Sequence, residues 1–77
     1  MPKSEEDLAR RLGEVIRDRR ERAEMTQAEL ASLSRLNRNY IGMVERAERN
    51  PTVLALVAMA SALGTQGHVL LREAERR

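Results

Sequence analysis

Arg38 and Asn39 are adjacent residues with planar side chains, each of which can make hydrogen bonds at two points with a planar partner. An arginine fork can bond to the O6 and N7 atoms of guanine, and an asparagine amide can make a similar two-point contact with adenine. Both residues follow Asn37, which is a candidate residue for starting a helix. The first turn of an exposed helix is where side chains reach base edges in the major groove. The pattern therefore indicates a base-reading position at residues 37–39.

Arginine accounts for thirteen of the fourteen basic residues, and twelve acidic residues bring the net charge to only +2. The planar fork of arginine suits phosphate and guanine better than the lysine ammonium does. Genomic base composition also produces such a bias, so the bias alone leaves both explanations open. Tyr40 is the single aromatic residue, which disfavours recognition of single-stranded nucleic acid by stacking.

The sequence offers little for catalysis. It has no cysteine, a lone histidine at His68, and no carboxylates clustered for metal or acid–base chemistry. We predict a protein that is not an enzyme, with no catalytic residue, metal, cofactor or small-molecule substrate. Neither the charged N-terminal segment nor the short apolar stretch 53–63 predicts a signal peptide or a membrane span. The expected location is the cytoplasm, which the absence of cysteine fits.

Five helices and no strand are predicted, which makes residues 1–77 a single all-α domain. Apolar residues of the first segment recur at the spacing of one helix face, at Leu8, Leu12, Val15 and Ile16. Thr26 and Glu29 have the spacing of a capping box, and Pro51 breaks the chain before the fourth helix. The predicted helices cover residues 5–22, 27–33, 38–46, 53–63 and about 66–75.

The second and third helices are joined by only three residues, 34–36. Such a tight connection places the second helix of the pair across the first, so that it projects from the surface. A projecting helix fits the major groove of a duplex. Double-stranded DNA is therefore the predicted partner.

The fourth helix is apolar on nearly every side, and such a helix needs cover on more than one face. The fifth helix can cover part of it through Leu70 or Leu71, and a second copy of the chain can cover the rest. A chain of 77 residues also has a small core of its own. We predict a homodimer, to which the fifth helix contributes, with an interface formed by Leu54, Val57, Ala58 and Leu71. The alternative, that the fifth helix covers everything, stays open.

Residues 12–63 resemble the Cro/repressor helix-turn-helix family, also called the XRE family. The matching positions are the arginine-rich end of the first helix, residues 25–31 (MTQAELA), Tyr40-Ile41, Val44-Glu45-Arg46, Asn50-Pro51, Leu56, Ala60 and Leu63-Gly64. The order of these motifs is what makes the resemblance specific. It implies a compact five-helix bundle of the lambda-repressor-like DNA-binding type, with the third helix reading DNA.

The resemblance also implies residue roles. The base-reading positions are Arg38 and Asn39, with Asn37 just before them, and Met43 one turn on, where packing in the core is an equal alternative. The phosphate contacts fall at Gln27, Arg35, Arg46, Arg49 and Asn50. Arg20 and Glu45 match a partly buried ion pair that holds the reading helix at its docking angle.

Two positions depart from the family pattern. Arg35 and Ala47 stand where the family often has glycine, because the backbone there tends to be left-handed. Any other residue is modestly strained in that conformation. The fold tolerates both residues, but the geometry of the two loops depends on them.

The predicted function is sequence-specific regulation of transcription by a dimer on a roughly palindromic operator. Length and architecture resemble the controller proteins of restriction-modification systems, and a phage-type repressor or plasmid regulator fits nearly as well. An alternative of a different class is an antitoxin, which would neutralise a protein partner and regulate its own operon. Antitoxins often carry a further segment, and only about a dozen residues follow Gly64 here.

Overall fold

The computed structural model describes residues 4–77, which form five helices and no strand. The helices are α1 (Glu5–Arg22), α2 (Gln27–Ser34), α3 (Arg38–Glu45), α4 (Val53–Ala62) and α5 (Gly67–Arg76). The predicted all-α bundle is confirmed, and each helix boundary lies within one residue of its predicted place. Residues 1–3 of the predicted domain, which also belong to the segment considered for a signal peptide, lie outside the described part.

Four of the five helices begin at a side chain that caps the backbone. Ser4, Thr26 and Thr52 accept the N–H three residues on, at 3.0–3.1 Å, and Asn37 accepts the N–H of Asn39 at 2.7 Å. At Thr26 the capping box is complete, because the Glu29 carboxylate accepts the Thr26 N–H at 2.8 Å. These bonds lower the pKa of Glu29. Each cap fixes where a helix starts, and so fixes which residues form its first turn.

Each of the helices α1 to α4 is followed, within two residues, by a residue in the left-handed conformation. These residues are Glu24, Arg35, Ala47 and Gly64, with φ between 57° and 76°. In each case the next residue's N–H returns to a carbonyl five residues earlier, as in a Schellman motif. The left-handed backbone predicted for Arg35 and Ala47 is confirmed, whereas Glu24 was not anticipated. Only Gly64 is a glycine, the residue type that adopts this conformation without strain.

The core lies between the helices, and all five contribute buried side chains to it. Its largest fully buried side chains are Val15, Ile16, Leu30, Ile41, Val44, Met59 and Leu70. Helix α5 packs against α1, where Arg19 Nε donates to Glu73 at 3.1 Å and Arg77 Nη2 pairs with Asp18 at 2.6 Å. The Arg19 guanidinium lowers the pKa of Glu73. Thus α5 closes the core through Leu70, one of the two residues that the sequence offered for this role.

Within residues 4–77 no single helix is long and apolar enough to cross a membrane. Helices α4 and α5 are long and apolar enough for a membrane span only when they are taken together, and they are bent by 97° at the break between them.

Candidate nucleic-acid interface

Helix α3 presents its first turn to solvent. Arg38 and Asn39 are exposed, and within the described chain no hydrogen bond or ion pair engages either side chain. The Asn37 Oδ1 atom is occupied as the helix cap. A two-point contact with adenine uses both the oxygen and the nitrogen of an amide, and the amide of Asn37 is held against the helix backbone whereas that of Asn39 is not. The geometry favours Asn39 over Asn37 as the adenine-reading candidate.

A polar depression of about 340 Å³ lies beside this first turn. Its lining combines the exposed face of α3, the start of α2 and the loop after α3: Gln27, Arg38, Asn39, Gly42, Met43, Arg46 and Glu48. Met43 is half-buried, so part of its side chain faces the depression while the rest is packed. Four of the residues predicted to contact bases or phosphate are therefore brought together with Gln27 on one surface.

Arg20 and Glu45 form a bidentate ion pair beneath this surface. Arg20 Nε lies 2.7 Å from Glu45 Oε2, and Arg20 Nη2 lies 3.0 Å from Oε1. Their side chains are only 11% and 3% exposed. Arg20 Nη1 also donates to the Met25 carbonyl at 2.8 Å, and the hydrogen bond that Arg20 donates to Glu45 raises the pKa of Arg20. The pair thus joins α1, the α1–α2 turn and the end of α3.

Gln27 extends this network to the surface. Its Nε2 donates to Glu45 Oε1 at 3.0 Å, while the half-buried side chain also lines the depression. The Gln27 amide is therefore held by the same carboxylate that binds Arg20. This bond couples the start of α2 to the end of the projecting helix.

Gly13 is a positioning residue that the sequence reasoning missed. A Cβ atom at this position would lie 2.6 Å from the carbonyl oxygens of both Val44 and Glu45. Such a distance is prohibitive, so only glycine lets α1 approach the C-terminal end of α3 this closely. A glycine inside an otherwise amphipathic helix, between Leu12 and Val15, was the available signal.

The loop after α3 carries two more of the predicted phosphate contacts, Arg49 and Asn50. Arg49 lies over the Tyr40 ring, 5.7 Å from its centroid, and the Tyr40 hydroxyl accepts the Thr52 N–H at 3.1 Å. Asn50 is exposed beside them. Tyr40 therefore links α3 to the loop and to the start of α4, a role that the sequence reasoning did not assign.

The two arginines nearest the ends of α2 and α3 differ in their pairing. Arg35 is exposed at the left-handed end of α2 and has no partner among the described residues. Arg46 is exposed as well, but it pairs with Glu48 through two hydrogen bonds of 3.0 and 3.1 Å. The guanidinium of Arg35 is therefore free to meet an anion, whereas that of Arg46 already has one.

The apolar side chains predicted to lie at a dimer interface do not share one environment. Leu54 and Val57 are 82% and 51% exposed, and Ala58 is half-buried. Leu71 packs against the core and lines an apolar depression of about 320 Å³, together with Val53, which is itself 77% exposed. Helix α4 therefore shows an uncovered apolar face, and Leu71 lies in the depression next to it.

Within residues 4–77, no group of three or more His, Cys, Asp or Glu side chains is arranged to hold a metal ion.

The fold and this surface define a helix-turn-helix protein, and the sequence matches the helix-turn-helix family over residues 16–70. The chain therefore belongs to that family of DNA-binding regulators. Its relatives include the control protein C.SmaI of Serratia marcescens, 43% identical over 65 residues that span 84% of this chain and 77% of that protein.

Two solved structures show the same architecture. The restriction-modification controller C.AhdI from Aeromonas hydrophila aligns over 80% of this chain and 94% of its own, with a TM-score of 0.79 and 34% identity. The controller C.Esp1396I, bound to a 25 base pair operator site, aligns over 90% of this chain and 91% of its own, with a TM-score of 0.79 and 32% identity. The predicted family and fold are thereby confirmed.

Proposed function

We propose that this protein is a restriction-modification controller, a transcriptional regulator that binds a roughly palindromic operator as a homodimer. The observation that carries the proposal is the exposed first turn of α3, where Arg38 and Asn39 stand unpaired beside a polar depression. Two controllers share its fold at 30% identity or more, and one of them is bound to an operator. The control protein C.SmaI, 43% identical over 77% of its own length, also supports the choice of a controller.

The proposed contacts fall into two groups. Arg38 and Asn39 read base edges, with Met43 one turn further along α3 able to touch a thymine methyl. Phosphate contacts come from the rim of the depression and from the loop after α3, namely from Gln27, Arg35, Arg46, Arg49 and Asn50. Base contacts specify the sequence, and phosphate contacts set register and orientation.

A second copy of the chain is proposed as the cover for α4. Leu54 and Val57 form an exposed apolar face that continues towards the depression lined by Val53 and Leu71. A two-fold dimer through this face would present two copies of α3, and half-sites one helical turn apart are separated by about 34 Å. The operator should then have two-fold symmetry.

The remaining assignments follow from this role. We infer a single DNA-binding domain in which α5 closes the core and borders the dimer face. No step of the proposed function is catalytic, and none requires a cofactor. A regulator works in the compartment that holds its DNA, so we place the protein in the cytoplasm.

Selection of bound duplexes from random double-stranded DNA tests this function. The expected result is one recovered motif with two-fold symmetry, because each subunit reads one half-site. A protein carrying Arg38→Ala serves as the matched control and should recover a motif relaxed at one base pair per half-site. Failure of the unaltered protein to retain any duplex at low ionic strength would overturn the proposal.

A further inference from the structure

Arg46, one of the proposed phosphate contacts, is already bound to an anion of its own chain. Its Nε and Nη2 atoms donate to the two carboxylate oxygens of Glu48 at 3.0 and 3.1 Å, so that each oxygen accepts one hydrogen bond. The two side chains are 58% and 53% exposed. Glu48 thus occupies the fork of Arg46 in the two-point manner in which a phosphate would bind it.

The backbone holds Glu48 in this place. Ala47 is left-handed, with φ of 60°, and the Glu48 N–H returns to the Met43 carbonyl at 2.8 Å. Gly42 makes room for the guanidinium, because a Cβ atom at that position would lie 3.0 Å from Arg46 Nη1. The pairing therefore follows from the end of α3 and not from a freely moving loop.

Glu48 also places negative charge on the proposed DNA-binding surface. It lines the depression that contains Gln27 and Arg38, and it lines a second one of about 260 Å³ with Glu5 and Glu6. The Arg46 guanidinium lowers the pKa of Glu48, which is charged at neutral pH. A phosphate that approaches Arg46 thus meets a carboxylate that competes for the same fork and repels it.

We propose that Glu48 limits the affinity of this protein for duplex DNA by competing with phosphate for Arg46. The inference rests on the proposed function, in which Arg46 contacts the backbone. Since phosphate contacts are independent of DNA sequence, the competition lowers the affinity of the protein for operator and random duplexes alike. Glu48 thereby raises the protein concentration at which the operator is filled.

The test compares the protein with its Glu48→Gln variant on two duplexes, the one recovered by selection and a shuffled duplex of the same length and composition. The variant should bind both more tightly, by about 1.4- to fivefold, the range expected for release of an exposed ion pair. The gain should shrink as salt is added, because both the pairing and the repulsion are screened.

Two further proteins isolate the mechanism. Glu21→Gln removes an equal charge from a glutamate of equal exposure, 53%, which pairs with Arg17 on α1 away from the depression. It should bind both duplexes as the unaltered protein does. In an Arg46→Gln background, Glu48→Gln should give a clearly smaller gain, since the competition for Arg46 is gone and only the repulsion remains.

Each other outcome overturns the inference. A full gain in affinity from Glu48→Gln in the Arg46→Gln background would show a general charge effect. No gain from Glu48→Gln alone would show that Glu48 does not compete with phosphate. A loss of affinity for the operator alone would make Glu48 a base contact. The proposed function has a separate failure, in which the unaltered protein retains neither duplex at low salt. Thermal unfolding of each variant checks that the fold is intact.

Discussion

Two arginines of this chain, one on α1 and one on α3, have opposite tasks because their surroundings differ. Arg20 is nearly buried and has its donors bound by Glu45 and by a backbone carbonyl. Arg38 is exposed and unpaired within the described chain. A buried, satisfied guanidinium stabilises the orientation of helices, whereas an exposed free one is available to a ligand. Residue type alone does not distinguish these roles, but position in the motif does.

At the scale of single residues, removal of one partner of the buried ion pair should lower the free energy of unfolding substantially. Glu45→Ala leaves the Arg20 guanidinium and the Gln27 amide without their shared acceptor. We expect the free energy of unfolding in urea to fall by about 3 kcal/mol. Glu21→Ala breaks an exposed pair on α1 and should change it by about 0.5 kcal/mol or less. Equal losses in the two variants would show that the buried pair has no special structural role.

At the scale of the helices, most of the architecture could be predicted because the signals are local. Caps at Ser4, Thr26, Asn37 and Thr52 fix the helix starts, Gly64 marks the end of α4, and Pro51 precedes the start of α4. The left-handed turns at Arg35 and Ala47 were predicted only from the family resemblance, since neither residue type indicates such a turn. Apolar periodicity was enough to find the buried face of α1.

The family resemblance implied the contact of Arg20 with Glu45, but other contacts between elements were beyond the sequence reasoning. Gly13 is required by two carbonyls of α3, and Tyr40 joins α3 to the backbone before α4. The pairing of Arg46 with Glu48 depends on the direction of the chain after Ala47. The candidate site was therefore predicted as a set of residues, but its internal competition became visible only in three dimensions.

At the scale of the whole molecule, a single chain leaves the apolar face of α4 exposed to solvent. The described part measures 32 × 21 × 21 Å, and its helix α4 still exposes Val53, Leu54 and Val57. Exposed apolar area of this kind marks a surface for association. The proposed dimer, and the symmetry of the operator with it, would depend on that face.

Leu54→Asp should therefore shift the mass measured by sedimentation from a dimer towards the 8.8 kDa of a single chain. The physical reason is that a charge at the proposed interface would be buried without a partner. Leu33→Asp is the matched control, because Leu33 is also an exposed leucine, at 62%, but lies on α2 outside the proposed face. A dimer that persists in the Leu54→Asp variant would contradict the proposed interface.

Entry of the first turn of α3 into the major groove is tested most directly by methylation interference on the selected duplex. Methylation of guanine N7 blocks the major-groove edge, and methylation of adenine N3 blocks the minor groove. We predict that N7 methylation of one guanine in each half-site abolishes binding, and that Arg38→Ala makes the protein insensitive at that guanine. Interference confined to adenine N3, or the same N7 pattern with and without Arg38, would contradict this placement of α3.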